Sequence, residues 1–283
     1  MRLGESQSGS RGFAIHMSDE SKLTPEQIRD FWRRQAVQHG QSPTVSWSDH
    51  RVIEMEIRAL VRRLDDGDRV LDVGCANGYS TIQLASQRAI EIRGLDYLPE
   101  MIERARASLQ SLSSSMPGKV EFAVGSTMAI PEPSSAYDKV IAIRVVTNLG
   151  ERSNQRIALR ECARVLKPGG VLLLSEPTIQ GWSKLNDLRR EWDLPDIPMP
   201  AFNTYLDEQE VIEFMAGELE LLELVNFAST YFVGTRVLKP LLAQMLGGKM
   251  DPANPNAEWN RWFSTLPASG DYGTQKLFVF RKR

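Results

Sequence analysis

Two acids and two glycines stand where a chain could hold a small charged ligand. Asp72 precedes Gly74 by two residues, Cys75, Ala76 and Asn77 follow, and Gly78 completes the pattern D-x-G-x-x-x-G. The stretch VLDVGCANGYST joins an apolar β-prone run to a helical pattern through this turn. Glycine there removes the Cβ that would keep a ligand away from outward-pointing backbone N–H groups. The spacing is neither the G-x-G-x-x-G of a dinucleotide turn nor a phosphate loop ending in G-K-[ST]. An acid at Asp72 would repel phosphates and suits a ligand carrying an ammonium group. Asp96 closes the run IRGLD about 20 residues beyond the turn, where one carboxylate can accept hydrogen bonds from both hydroxyls of a ribose.

For these residues to meet, each must lie at the carboxyl end of a strand. Arg69 to Val73 and Ile90 to Leu95 read as the first two strands, and Pro99 opens a helix with Met101, Ile102 and Ala105 on one face. Val120 to Val124 reads as a third strand, running into Gly125, Ser126, Thr127 and Met128. Tyr137 to Ile143 reads as a fourth, running into Arg144 to Leu149. A helix from Asn154 to Leu166 is stopped by Lys167-Pro168-Gly169-Gly170 before an apolar strand, Val171 to Leu174. Leu219 to Phe227 and Lys276 to Arg281 supply two more strands. Ahead of the first strand, Thr24-Pro25-Glu26-Gln27 has the form of a capping box opening a helix, and Arg51 to Leu64 predicts a second helix.

The Asp72 to Gly78 turn, Asp96 and the later RVLKPGGVLLLSEP stretch together resemble class I S-adenosylmethionine-dependent methyltransferases. The resemblance implies an α/β fold: a Rossmann-like seven-stranded mixed sheet with a reversed last strand, an N-terminal helical cap and two insertions. It divides the chain into a helical cap over 23–66, a cofactor-binding core over 67–177, and acceptor-side insertions over 178–205 and 228–273. The whole of 23–283 then forms one domain. The implied cofactor is S-adenosyl-L-methionine, with S-adenosyl-L-homocysteine as product. The residues that would bind it are Asp72, Gly74, Cys75, Ala76, Gly78, Asp96, Tyr97, Ser126, Thr127, Met128 and Arg144. Two departures from the family pattern stand out. Ser126 occupies the place of the acid that often binds the adenine amine, and Arg144 to Leu149 lacks the histidine that many relatives carry. Arg144 and Asn148 are poor bases but good hydrogen-bond donors.

Catalytic candidates are therefore His50, Arg144 and Tyr205, with His39 and Glu176 as further candidate bases. Trp32 and Trp47 are either lid aromatics or packing for the cap. Arg144, together with Lys184, Arg189 and Arg236 in the insertions, suggests a polar, sugar-like or anionic small-molecule acceptor, methylated at oxygen, and Trp182 and Tyr205 could stack on a ring. Methylation at nitrogen or carbon of a natural-product intermediate is the alternative, as is a protein that binds the cofactor without catalysis. The second insertion encloses substrate or forms a homodimer interface. A formal net charge of −2 leaves no nucleic-acid footprint. Two cysteines make neither a disulfide framework nor a metal spacing, and no apolar run reaches the length of a membrane span. These features suit a cytoplasmic protein. Residues 1–22, rich in Ser, Gly and charge, read as a disordered tail in which Met17 could be the natural start.

Overall fold

The computed structural model describes residues 23–39, 47–112, 115–247 and 251–283. The expected tail over 1–22 lies outside the described residues, as does the side chain of His39. Seven strands form one sheet in the order β3-β2-β1-β4-β5-β7-β6. They are β1 (Arg69–Val73), β2 (Glu91–Asp96), β3 (Lys119–Val124), β4 (Tyr137–Ile143), β5 (Leu166–Pro177), β6 (Leu219–Val225) and β7 (Gln275–Lys282). β1 to β5 pair in parallel, and β7 runs antiparallel to both of its neighbours. The reversed last strand is thus present, and the sheet is mixed as the resemblance implied.

Parallel strands buried on both faces need continuous apolar runs, and that is what the central strands carry. Adjacent residues go to opposite layers. Val70, Ile141, Leu173 and Val279 pack with α2 (His50–Val61) and α3 (Tyr79–Ala85), whereas Leu71, Ala142, Leu174 and Phe280 pack with α5 (Arg152–Val165) and α7 (Glu208–Met215). Fully burying each such side chain is worth about 1.5–3 kcal/mol. A third cluster joins α3 to α4 (Pro99–Gln110) through Ile82, Ile102, Ala105 and Phe122.

The cap helix α1 (Pro25–His39) opens with the reciprocal bonds of a capping box: the Thr24 N–H donates to Gln27 Oε1 at 2.8 Å, and the Gln27 N–H donates to Thr24 Oγ1 at 3.3 Å. In α2, Val52, Ile53, Met55, Ile57 and Leu60 are buried, and so is Glu56. β5 leads into α6 (Ile179–Arg190), and Asp207 caps α7 by accepting from the Glu210 N–H at 3.0 Å. Between β6 and β7 the chain forms α8 (Ser229–Val233), a π-helical turn (Gly234–Leu238), α9 (Lys239–Met245) and α10 (Glu258–Phe263). The sequence predicts only two helices there, near 238–246 and 257–266; α8 and the π turn fall in ASTYFVGTRV, where β-branched residues and Gly234 weaken the helical signal. Among the described residues no helix is long and apolar enough to cross a membrane, and no group of three or more His, Cys, Asp or Glu could hold a metal ion.

Gly94, at the centre of β2, faces the Phe122 ring and the Cys75 sulfur. A Cβ built on it would lie 2.7 Å from Phe122 Cδ1 and 2.9 Å from Cys75 Sγ. Gly94→Ala is expected to lower the stability of the fold by about 1–3 kcal/mol through overpacking. Urea denaturation checks this, and an unchanged midpoint would contradict the packing described.

Candidate active site

The turn after β1 places a ligand cradle at the carboxyl ends of the parallel strands. The N–H groups of Gly74 and Cys75 both donate to the Leu95 carbonyl, at 2.7 and 2.9 Å, and tie the turn to β2. Gly74, Ala76 and Gly78 all adopt left-handed backbone, with φ of 74°, 48° and 75°. Ala76 does so without the freedom of glycine, the kind of local strain that clusters at ligand sites. A Cβ on Gly74 would collide with the Val145 side chain, and one on Gly78 would lie 2.5 Å from Phe122 Cζ. Gly74 therefore lets Val145, on the chain leaving β4, pack against the turn, and Gly78 lets α3 approach β3.

Two cavities meet at this turn. The first is lined by Gly74, Ala76, Asp96, Tyr97, Leu98, Met101, Ser126, Thr127, Met128, Ile143, Arg144, Val145, Asn148, Leu149 and Asn154, with Ile28 and Trp32 of the cap on its wall. The second is smaller and more polar, lined by Ile53, Asp72, Cys75, Asn77, Tyr79 and Ser80, and it shares Gly74, Ala76, Ile143 and Arg144 with the first. The structure thus brings together Asp72, Gly74, Cys75, Ala76, Asp96, Tyr97, Ser126, Thr127, Met128 and Arg144. Gly78 lies behind the turn and lines neither cavity. His50 opens α2 and also lines neither. Tyr205 is likewise away from both; its phenol is buried, which pushes it up to about 12 and makes it a poor proton shuttle.

The acids at the site are buried. Asp96 Oδ2 accepts from the Ala76 N–H at 3.0 Å and Oδ1 from the Leu98 N–H at 2.9 Å, which fixes the carboxylate and leaves lone pairs for a ligand. Asp72 accepts from the Thr81 hydroxyl at 2.5 Å. Burial pushes both carboxyls up to about 6, against the hydrogen bonds that pull them down. Glu176 accepts from the N–H groups of Val145, Val146 and Thr147 at 2.8, 2.7 and 3.2 Å, so its carboxylate is spent on holding the chain that leaves β4. Burial pushes Glu176 up to about 8.

The basic side chains that suggested an anionic acceptor point elsewhere. Lys184 pairs with Asp271, and Arg236 with Asp49 at 2.6 Å. Arg189 donates to the carbonyls of Pro195 and Arg236. Of the four, Arg144 alone lines the cavities, and it is paired with Glu56 and lies over the Trp47 ring at 5.3 Å. Asn148 also departs from expectation. One N–H of its Nδ2 goes to the Arg144 carbonyl at 2.5 Å, and its Oδ1 is buried with no donor among the described residues. Glu56, Phe202 and Asn154 went unread in the sequence. Glu56 had one signal: it follows Ile53 by three residues and precedes Leu60 by four, on the buried stripe of α2.

The methyltransferase domain family matches residues 64–225. The O-methyltransferase rstn1 of Aspergillus nomiae is 30% identical over 139 residues, 46% of this chain and 60% of that protein. The 27-O-demethylrifamycin SV methyltransferase of Amycolatopsis mediterranei is 31% identical over 110 residues, 39% of each chain. The matches therefore span less than two thirds of these relatives. Among solved structures, the magnesium protoporphyrin IX methyltransferase of Synechocystis PCC 6803 with bound SAH is similar in fold, with a TM-score of 0.56 at 14% identity over 90% of this chain and 94% of that one. A family match over more than half of the 283 residues, on a sheet of this strand order, places the protein in the methyltransferase domain family, among the class I S-adenosylmethionine-dependent members.

Proposed function

We propose that the protein transfers a methyl group from S-adenosylmethionine to a hydroxyl oxygen of a largely apolar small molecule. The observation that carries this reading is Asn148 Oδ1, which lies buried at the first cavity with no donor reaching it among the described residues. A buried acceptor left unmet costs roughly 1–3 kcal/mol, so a ligand that brings an O–H or N–H to it is favoured. The wall around it, with Ile28, Trp32, Val145 and Leu149, is apolar and suits a hydrocarbon or aromatic body better than a sugar or an anion. The two relatives' names, both of them O-methyltransferases, support oxygen as the methylated atom.

The residues present fit the cofactor. The carboxylate of Asp96, held by two backbone N–H groups at the first cavity, and that of Asp72 at the second suit a ligand with hydroxyls and positive charge. Bound there, S-adenosylmethionine supplies a methyl already activated by its positive sulfur. Asp96 offers its free lone pairs to the ribose hydroxyls, and Tyr97 and Met128, which line the same cavity, would cover the base. Asp72, Asn77 and Ser80 line the space for the amino-acid end. Trp32 and Ile28 close the cavity from the cap and exclude water. Asn148 accepts the acceptor's O–H and turns a lone pair of that oxygen toward the reacting carbon; as the carbon–oxygen bond forms, the O–H bond breaks and its proton passes by way of Asn148 Oδ1 to water at the cavity mouth. Holding the partners in line can supply roughly 7–11 kcal/mol of the barrier lowering, so no strong base is required of the cavity wall.

Methyl-labelled S-adenosylmethionine, offered with matched phenols, alcohols and amines of apolar frame, is expected to label oxygen; label on amines alone would refute the proposal. Asn148→Ala is expected to lower kcat/KM for the acceptor by about 10- to 100-fold while leaving S-adenosylhomocysteine affinity within about twofold. An equal loss in both would place Asn148 at the cofactor instead. The raised Asp72 and Asp96 carboxyls give a pH dependence whose sign is fixed. Free protein loses stability as pH rises from about 4 to about 6, where these groups ionise without full compensation. Binding needs them ionised, so S-adenosylhomocysteine affinity should be full above about pH 6 and fall below it, with proton release on binding near pH 6. Calorimetry in buffers of different ionisation heat measures both, and pH-independent affinity between 5 and 7.5 would contradict the roles given to these acids.

A further inference from the structure

The two cavities share Gly74, Ala76, Ile143 and Arg144, and at that junction the nucleoside side of the site meets the amino-acid side. If the cofactor binds as set out above, on which this inference rests, its sulfur lies at this junction. A guanidinium is therefore built into the wall where a positively charged sulfur must sit. Two like charges at such a distance inside a partly buried site repel strongly enough to change affinity by an order of magnitude or more. The structure contains a counter-charge for that guanidinium on a different element.

Glu56 lies on α2, on the stripe that faces the sheet, and none of its surface is exposed. Its Oε2 pairs with Arg144. Its Oε1 accepts from the Ser175 hydroxyl and from Gln275 Nε2 at 3.0 Å, and Gln275 also donates to Ser175 Oγ at 3.1 Å. Ser175 and Gln275 are themselves buried, on β5 and β7. A carboxylate sealed this deeply, with donors from two strands fixing one oxygen, has its other oxygen aimed at Arg144 by construction. An ordinary surface ion pair would not be held in this way.

We propose that Glu56 is a positioning residue that neutralises Arg144 at the cavity junction, so that the site accepts a sulfonium cofactor rather than favouring its neutral thioether product. Removing the carboxylate while keeping the shape takes away the charge in direct contact with the guanidinium and leaves the weaker pull of Asp72 and Glu176. The penalty then falls on S-adenosylmethionine, which carries the extra positive charge, and spares S-adenosylhomocysteine, which does not. A merely structural role would weaken both alike.

The test is calorimetric binding of both nucleosides to wild type, Glu56→Gln, Arg144→Gln and the double variant, with thermal melts to establish folding. The ratio of the dissociation constant of S-adenosylmethionine to that of S-adenosylhomocysteine is expected to rise about tenfold in Glu56→Gln. It should return to near the wild-type value in the double variant, where the guanidinium is gone. A ratio unchanged in Glu56→Gln, or raised equally in the double variant, overturns the proposal. Should Glu56→Gln fail to fold, Arg144→Gln keeps the test open, because the lone Glu56 carboxylate must then lower the ratio below wild type, and an unchanged ratio overturns the idea. Wild-type protein that binds neither nucleoside refutes the cofactor reading itself, a failure distinct from an unchanged ratio.

Discussion

Four carboxylates, Glu56, Asp72, Asp96 and Glu176, are buried around the carboxyl ends of the central strands, and the architecture answers to the need to meet their charge. An isolated ionised carboxylate in a protein interior is too expensive to keep, so each must find donors, a cation or a proton. Glu176 finds three backbone N–H groups, Glu56 finds Arg144 with two polar side chains, and Asp72 finds the Thr81 hydroxyl. Asp96 finds two backbone donors and still faces a cavity. The donors at Asp72 and Asp96 fall short of compensating burial, which is why both carboxyls are held well above the ordinary range. A ligand bringing hydroxyls and positive charge completes what the chain leaves incomplete. The preference for such a ligand is thus a property of the folded strand ends rather than of any one motif.

That the ends converge at all follows from the sheet. Parallel pairing sets Asp72 beside Gly94 and Asp96 beside Val124, and Gly94 lets Cys75 and Phe122 close over β2 from the turn and from β3. Burial on both faces then leaves the strand ends as the place where backbone groups and polar side chains can meet a ligand. The chain after β4 illustrates the constraint. Arg144 takes left-handed backbone, with φ of 49°, in a segment whose next three N–H groups converge on Glu176. The strain of that residue is offset by the three bonds beyond it, and the result turns Arg144 toward the cavities.

Much of this was legible in the sequence because the relevant signals are local. The Asp72 to Gly78 spacing, the Asp96 interval, the Thr24 capping box and the Asp207 cap each occupy a few consecutive residues whose chemistry is self-contained. What stayed illegible depends on pairing across long separations. Lys184, Arg189 and Arg236 read as candidate anion binders, because their partners Asp271, the Arg236 carbonyl and Asp49 lie far along the chain. Asn148 read as a donor for a different reason: one of its two amide hydrogens goes to the Arg144 carbonyl only because Arg144 takes left-handed backbone, which residue type does not announce. His50 and Tyr205 read as catalytic from residue type alone, and residue type does not determine which way a side chain is turned. α8 and the π turn over 229–238 were hidden because Thr230, Val233, Thr235 and Val237 are β-branched and Gly234 is a poor helix former, so the helix there owes its form to packing rather than to local preference.

The cap is held over the site from two sides, and each insertion supplies one of the holds. On one side Phe31 of α1 stacks on Phe202 with ring centres 4.5 Å apart, and Trp32 meets the same ring edge-on at 5.8 Å. The first insertion thereby positions the aromatic that lines the cavity. On the other side Asp49, at the entry to α2, accepts from the Tyr231 hydroxyl at 2.9 Å and pairs with Arg236, while Asn260 donates to the same hydroxyl and Lys239 donates to Asn260. The second insertion thus anchors the segment that carries Trp47, and the Trp47 ring in turn underlies Arg144. Aromatic pairs of this kind contribute about 0.5–1.5 kcal/mol beyond their burial, enough to order a helix and too little to lock it. The strand ends fix the charge of the site, and the insertions fix how tightly the cap closes on it. Changes in the insertions can therefore alter the cap wall of the first cavity while the turn, the four acids and the Glu56–Arg144 pair stay as they are.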